Sequence, residues 1–219
     1  IVFLLFYLFI ALYMLFKNGF HLLKRSEEDA FWSKEFWIFL ASLVLVIAAF
    51  QITLSTSIPV INALFGTTLA PPSDPIKHYN SWQIPFTILV TLLVAVGQFL
   101  KYKKSDPKKV LKQLAPSFIL ALLLTFLFVY VLSITEFFLN LLLFTSLFAV
   151  LANLDYFVRI IKGNVSKGGA ALAHVGFGLI ILGSLLSAGS KTIISKNRSP
   201  VNINFDNDKD ANAENIMLI

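Results

Sequence analysis

Six apolar stretches, each close to the length of a bilayer crossing, occupy most of this chain and leave short polar connections between them. They run roughly over 1–24, 36–58, 83–100, 115–133, 136–158 and 169–188. A helix needs about 20 predominantly apolar residues to cross the hydrocarbon of a bilayer. The composition leaves no competing class: 57% of the residues are hydrophobic, 14% are charged and 22 are Phe. A soluble domain of 219 residues has too little interior for that much apolar surface. The pattern predicts an all-α, polytopic transmembrane helix bundle of about six spans over 1–188.

The formal charge of +6 does not point to nucleic acid, because the basic residues sit in short loops between the apolar stretches. There they carry topology. The first loop holds Lys17, Lys24, Arg25 and Lys34, the third holds Lys101, Lys103, Lys104, Lys108, Lys109 and Lys112, and the fifth holds Arg159, Lys162 and Lys167. The 59–82 loop has only Lys77, and 133–136 has no basic residue. The positive-inside rule places the odd loops in the cytoplasm and the 59–82 loop and C-terminal tail outside. The tail over 190–213 is rich in Asn, Asp and Lys and reads as a linker, so 189–219 is expected to open a truncated extracytoplasmic domain. The segment 1–16 has neither a charged n-region nor a small-residue cleavage site, and it reads as a helix of a larger protein, not a signal peptide. Zero cysteines exclude a disulfide framework and thiolate chemistry.

Local signals place two helix starts. Ser33-Lys34-Glu35 supplies a hydroxyl cap and a first-turn carboxylate for the second span. Pro116 is expected to mark the first turn of the fourth, where a missing N–H matters little.

The polar residues that bear on chemistry are few. His174 lies one to two turns into the sixth span, with Ala170, Ala171 and Gly178 at i−4, i−3 and i+4. Those small residues form a shallow bay beside an imidazole, which suits either a flat macrocycle or a close helix crossing. His21 falls near the same membrane leaflet on the first span, beside Lys17 and Lys24. It reads either as part of a solvated interfacial stripe or as an axial ligand with basic groups near haem propionates. Two neutral imidazoles at matched depth are a standard low-spin haem ligand set. His78 lies in the outer loop ahead of the third span, as an exposed loop histidine or as a haem contact. Asp155 and Arg159, at i and i+4, are expected to pair. No catalytic triad, carboxylate pair or metal-binding cluster stands out.

The order of motifs carries a resemblance. Ser33-Lys34-Glu35 opens a long apolar helix that runs to Ser55-Thr56-Ser57-Ile58-Pro59-Val60-Ile61-Asn62. Tyr79-Asn80 with Pro85 follows, then Gly169-x-x-Leu172-Ala173-His174-x-Gly176, and finally Glu214-Asn215-Ile216-Met217-Leu218. This resembles the middle-to-C-terminal part of the cytochrome c maturation haem lyase subunit family, CcmF/NrfE, over nearly the whole chain. The resemblance implies a subunit of the bacterial cytoplasmic (inner) membrane that assists covalent attachment of haem to apocytochrome c. It implies a bis-histidine haem b inside the membrane, with His21 and His174 matching the axial pair by position. It also implies as partners a haem carrier protein, other cytochrome c maturation membrane subunits and quinol. The family's tryptophan-rich segment and first extracytoplasmic histidine are absent from this sequence. The place of the second such histidine is held by Asn62, and His78 is 16 positions further on in the same loop. Two other classes share part of this pattern: a quinol-oxidising respiratory cytochrome b subunit, and a cofactor-free membrane transporter or scaffold.

Overall fold

The computed structural model describes residues 2–22 and 30–189, and the tail 190–219, with its expected linker and domain start, lies outside the described residues. The described residues form an all-α bundle without strands. In chain order the helices are α1 (Val2–Leu22), α2 (Lys34–Thr56), α3 (Ile58–Phe65), α4 (Pro75–Gly97), α5 (Pro107–Leu132), α6 (Phe137–Asp155) and α7 (Val165–Gly189). Five helical stretches, built on α2, α4, α5, α6 and α7, are long and apolar enough to cross a membrane. α1 carries a shorter apolar stretch, Phe6–Asn18, whose side chains are exposed.

α6 is the hub: it packs against α4, α5 and α7, while α2 packs against α4. Its buried residues include Leu142, Leu143, Thr145, Ser146, Leu147, Phe148, Ala149, Val150, Ala152 and Asn153, so little of its inner half is left uncovered. The outer helices present large apolar side chains outward, such as Phe39 and Phe50 on α2, Leu123 and Phe126 on α5, and Ile180 on α7. Water would penalise such surfaces heavily, whereas lipid tails are as apolar as the side chains themselves. Association must then come from close packing and hydrogen bonds. Both are present: Thr91 on α4 and Thr145 on α6 place their hydroxyls 2.9 Å apart in the buried interior. Gly178 on α7 sits so close to α6 that a Cβ there would lie 2.7 Å from Val150 Cγ2.

Two helices start about two turns earlier than hydropathy predicts. α4 begins at Pro75 instead of 83, because Asp74 Oδ1 accepts from the Lys77 N–H at 2.9 Å and Pro75 pre-sets the first turn. α5 begins at Pro107 instead of 115, with Asp106 capping Lys108 N–H at 3.0 Å. Pro116 is therefore inside α5 and does not open it. Their polar first turns dilute the hydropathy signal while leaving the capping signal intact. The connection between α2 and α4 also contains the short helix α3. Ser33 behaves as expected: it is fully buried and its Oγ accepts from Phe36 N–H at 3.2 Å.

The Ser33-Lys34-Glu35 segment does more than start a helix. Lys34 N–H donates to Lys101 O at 2.9 Å, and Ser105 N–H donates to Trp32 O at 2.7 Å. The Glu35 carboxylate accepts from Lys103 N–H, with oxygens at 2.9 and 3.1 Å. Lys103 has φ 66°, the left-handed region, and this conformation turns its amide toward Glu35. The beginning of α2 thus ties down the connection between α4 and α5.

Asp155 and Arg159 pair as expected, at the end of α6 where the helix widens into a π-helical turn over Tyr156–Ile160. Arg159 Nη2 also donates to Gln113 O at 3.1 Å, joining this turn to α5.

Candidate functional site

A polar cluster in the bundle interior is built around His174. The ring is half-buried, and its Nδ1 lies 3.3 Å from Asn153 Oδ1 on α6 and 3.2 Å from Gln98 Nε2 just past α4. Asn153 is completely buried. Its Nδ2 donates to Ala149 O at 2.9 Å and to Val94 O at 3.2 Å. One amide therefore links three helices.

This arrangement calls for a proton on Nδ1. Both partners of Asn153 Nδ2 are backbone carbonyls, which only accept, so the amide cannot be flipped without facing oxygen with oxygen. Oδ1 must then point at His174, and Nδ1 must carry the proton it accepts. Gln98 Nε2 is placed toward the same Nδ1, and with no other side-chain bond among the described residues its amide can turn to present Oε1 instead. The ring therefore donates Nδ1–H inward, and in the neutral imidazole the lone pair then lies on Nε2. A metal-ligating histidine is commonly held this way, its second nitrogen fixed by an acceptor behind it. The donor chemistry of His174 fits an axial ligand.

The small residues around His174 serve mostly to pack helices. Ala171 and Gly178 are buried, Gly178 directly on Val150 and Ser146 of α6. Ala170 is exposed and leaves the other edge of α7 open. His21 is in the last turn of α1, and its side chain lies outside the described residues.

His78 is not a loop residue. It stands in the first turn of α4, where its Nε2 lies 3.0 Å from Ser55 Oγ and 3.3 Å from Gln51 Nε2 on α2. Gln51 Oε1 accepts from Gln83 Nε2 at 2.7 Å, completing a polar cluster between the two helices. Tyr79 meets the His78 ring edge-on with centroids 5.3 Å apart. His78 and Gln98 are separated by the length of α4, about 30 Å at 1.5 Å per residue. The two histidines thus belong to separate sites at opposite ends of the bundle.

Asn62 is engaged in holding its own loop. Its Nδ2 donates to Leu69 O at 2.8 Å, and its Oδ1 accepts from Leu69 N–H at 3.0 Å and Thr67 Oγ1 at 2.7 Å. Both ends of the amide are satisfied, which suits a structural residue and leaves no lone pair directed at a ligand.

Sequence reasoning missed Asn153 and Gln98. The available signal was a polar amide in or beside an apolar span, which is costly unless partnered. What the sequence did not supply was the partner. No family model, curated protein or solved structure matches this chain.

Proposed function

We propose that this chain is a haem-handling subunit of the bacterial cytoplasmic membrane that assists attachment of haem to apocytochrome c. The reading rests on the order of sequence motifs and on one structural observation. Asn153 Oδ1 faces Nδ1 of His174 at 3.3 Å, an acceptor that suits Nδ1–H and, in the neutral ring, an Nε2 lone pair available to a metal. His174 and His21 are the proposed axial ligands of a haem b within the membrane. Such a haem would supply one-electron chemistry, keeping the iron of the incoming haem reduced for thioether formation.

The chain's own contribution is orientation. Asn153 and Gln98 fix the His174 ring plane and tautomer, and an inward N–H raises the basicity of the opposite nitrogen. His78, supported by Ser55 and Gln51, is the proposed contact for incoming haem at the other end of α4. In this reading the lysine-poor end, with the 59–82 loop, faces outside, and the lysine-rich end faces the cytoplasm. The implied partners are apocytochrome c, a haem carrier protein, other maturation subunits and quinol.

The test is a reduced-minus-oxidised spectrum of the full-length protein purified from membranes. The reading expects low-spin haem b, lost in both His21→Ala and His174→Ala. Full retention of that spectrum in both variants would sink the axial assignment. A normal spectrum with undiminished thioether formation on apocytochrome c when the protein is deleted would instead favour a respiratory cytochrome b.

A further inference from the structure

The bundle contains a pocket that adjoins the His174 site at Gln98 and whose other lining residues the proposed haem chemistry does not use. It lies at the lysine-rich end, between the loop after α4, the first turns of α5 and the π-helical turn after α6, and encloses about 290 Å³. Lys101, Lys104 and Lys109 line it, and Asp106 is the lone carboxylate among its lining residues. Asp106 already caps α5 through the Lys108 N–H. None of the three lysine side chains pairs with a carboxylate among the described residues. The lining keeps two net positive charges, three lysines less one aspartate.

The walls are unlike those of a simple anion site. Phe99 and Val110 are buried and line the pocket, and exposed Ile160 lines it too. Tyr156 also lines it, its ring edge-on to Phe99 at 5.4 Å. An apolar wall beside a cluster of ammonium groups, at the level where membrane helices end, matches a molecule with an anionic head and an apolar stem. The frame is fixed in advance. Ser105 is buried, its Oγ accepts from Lys101 N–H at 2.8 Å and its own N–H is bonded to Trp32 O at 2.7 Å. Glu35 holds the Lys103 amide. A loop ordered before binding loses little entropy on binding.

We propose that this pocket binds the phosphodiester headgroup of an anionic membrane lipid, with Lys101, Lys104 and Lys109 on the phosphate and Val110 and Ile160 against the glycerol and upper acyl chain. This inference does not depend on haem. It is tested on the full chain reconstituted in phosphatidylcholine nanodiscs, with phosphatidylglycerol added in steps and binding read by native mass spectrometry and thermal midpoint. Phosphatidylglycerol is expected to raise the midpoint and remain bound. The triple variant Lys101→Gln/Lys104→Gln/Lys109→Gln should bind it at least tenfold more weakly, since each basic group near an anionic headgroup contributes about a fivefold factor. Lys162→Gln/Lys167→Gln, which removes the same kind of charge elsewhere, should bind as the wild type does. The midpoint in phosphatidylcholine alone confirms that each variant is folded, and single Lys109→Gln should give an intermediate loss. Equal phosphatidylglycerol binding by the triple variant overturns the proposal. So does equal stabilisation by inorganic phosphate with the same lysine dependence, which would make this a site for a soluble anion.

Discussion

Asn153 on α6 and His174 on α7 face each other with Oδ1 3.3 Å from Nδ1, and the proton between them belongs to the ring. The assignment follows from the far side of the amide, where Ala149 O and Val94 O both require a donor. In Asn153→Leu that constraint disappears, and Gln98 Nε2, 3.2 Å from Nδ1, becomes free to donate to it. Because the Gln98 amide can present either end, the expected outcome is a mixture of Nδ1–H and Nε2–H tautomers in place of Nδ1–H alone, read by nitrogen NMR of the labelled ring. Finding Nε2–H already in the wild type would refute the assignment.

The same amide bridges three helices, so its loss should also weaken the bundle. Hydrogen bonds between membrane helices average about 0.6 kcal/mol and reach about 1.7 kcal/mol. Two backbone carbonyls and a ring N–H lose a partner together in Asn153→Leu, so a loss of about 1–2 kcal/mol is expected. A double-mutant cycle with His174→Phe in a reversible detergent-unfolding assay isolates the pair. A coupling near zero would mean that Asn153 and His174 do not interact.

Gly178 sets the approach of α7 to α6. A Cβ there meets Val150 Cγ2 at 2.7 Å and Ser146 O at 3.3 Å. Gly178→Val should therefore destabilise the bundle by about 1–3 kcal/mol through overpacking. Val150→Ala in the same chain should restore part of that loss. Gly176, two residues away, has open space around its Cβ position, so Gly176→Ala should be neutral or stabilising by up to about 1 kcal/mol. Equal destabilisation by both substitutions would contradict the packing described.

Asn62 closes the turn between α3 and Leu69 through three hydrogen bonds. Asn62→Ala should speed proteolysis within 63–70 and leave any haem spectrum of the intact protein unchanged. Loss of the spectrum with an unaltered cleavage pattern would assign Asn62 to a ligand site instead.

Lys34 and Glu35, beside the cap at Ser33, hold the α4–α5 connection from a distance of nearly seventy residues in sequence. Ser33→Ala removes the cap on Phe36 N–H and should reduce local stability by about 1 kcal/mol. Because Lys34 N–H is bonded to Lys101 O, the change should also raise amide exchange across 101–105. Faster exchange confined to the first turn of α2 would show that the tether does not transmit it.

The bundle, the cap at Ser33 and the pairing of Asp155 with Arg159 were legible in the sequence alone. Each of these depends on neighbours within a few residues or on the bulk demand of hydrocarbon, which selects apolar length without regard to packing. The sequence also marked His174 as a polar group in an apolar span. It missed the early starts of α4 and α5, because Lys77, His78 and Asn80 on one side and Lys108, Lys109 and Lys112 on the other lower the mean hydropathy of helical turns. Only the tertiary structure decided what His174 touches. Gln98, just past α4, and Asn153 on α6 reach it, with Val94 O holding Asn153 from behind, and their convergence depends on how closely α7 approaches α6 at Gly178. The same holds for Lys101, Lys104 and Lys109, which read in sequence as a topology signal and line a pocket once Trp32 and Glu35 fold the loop into place.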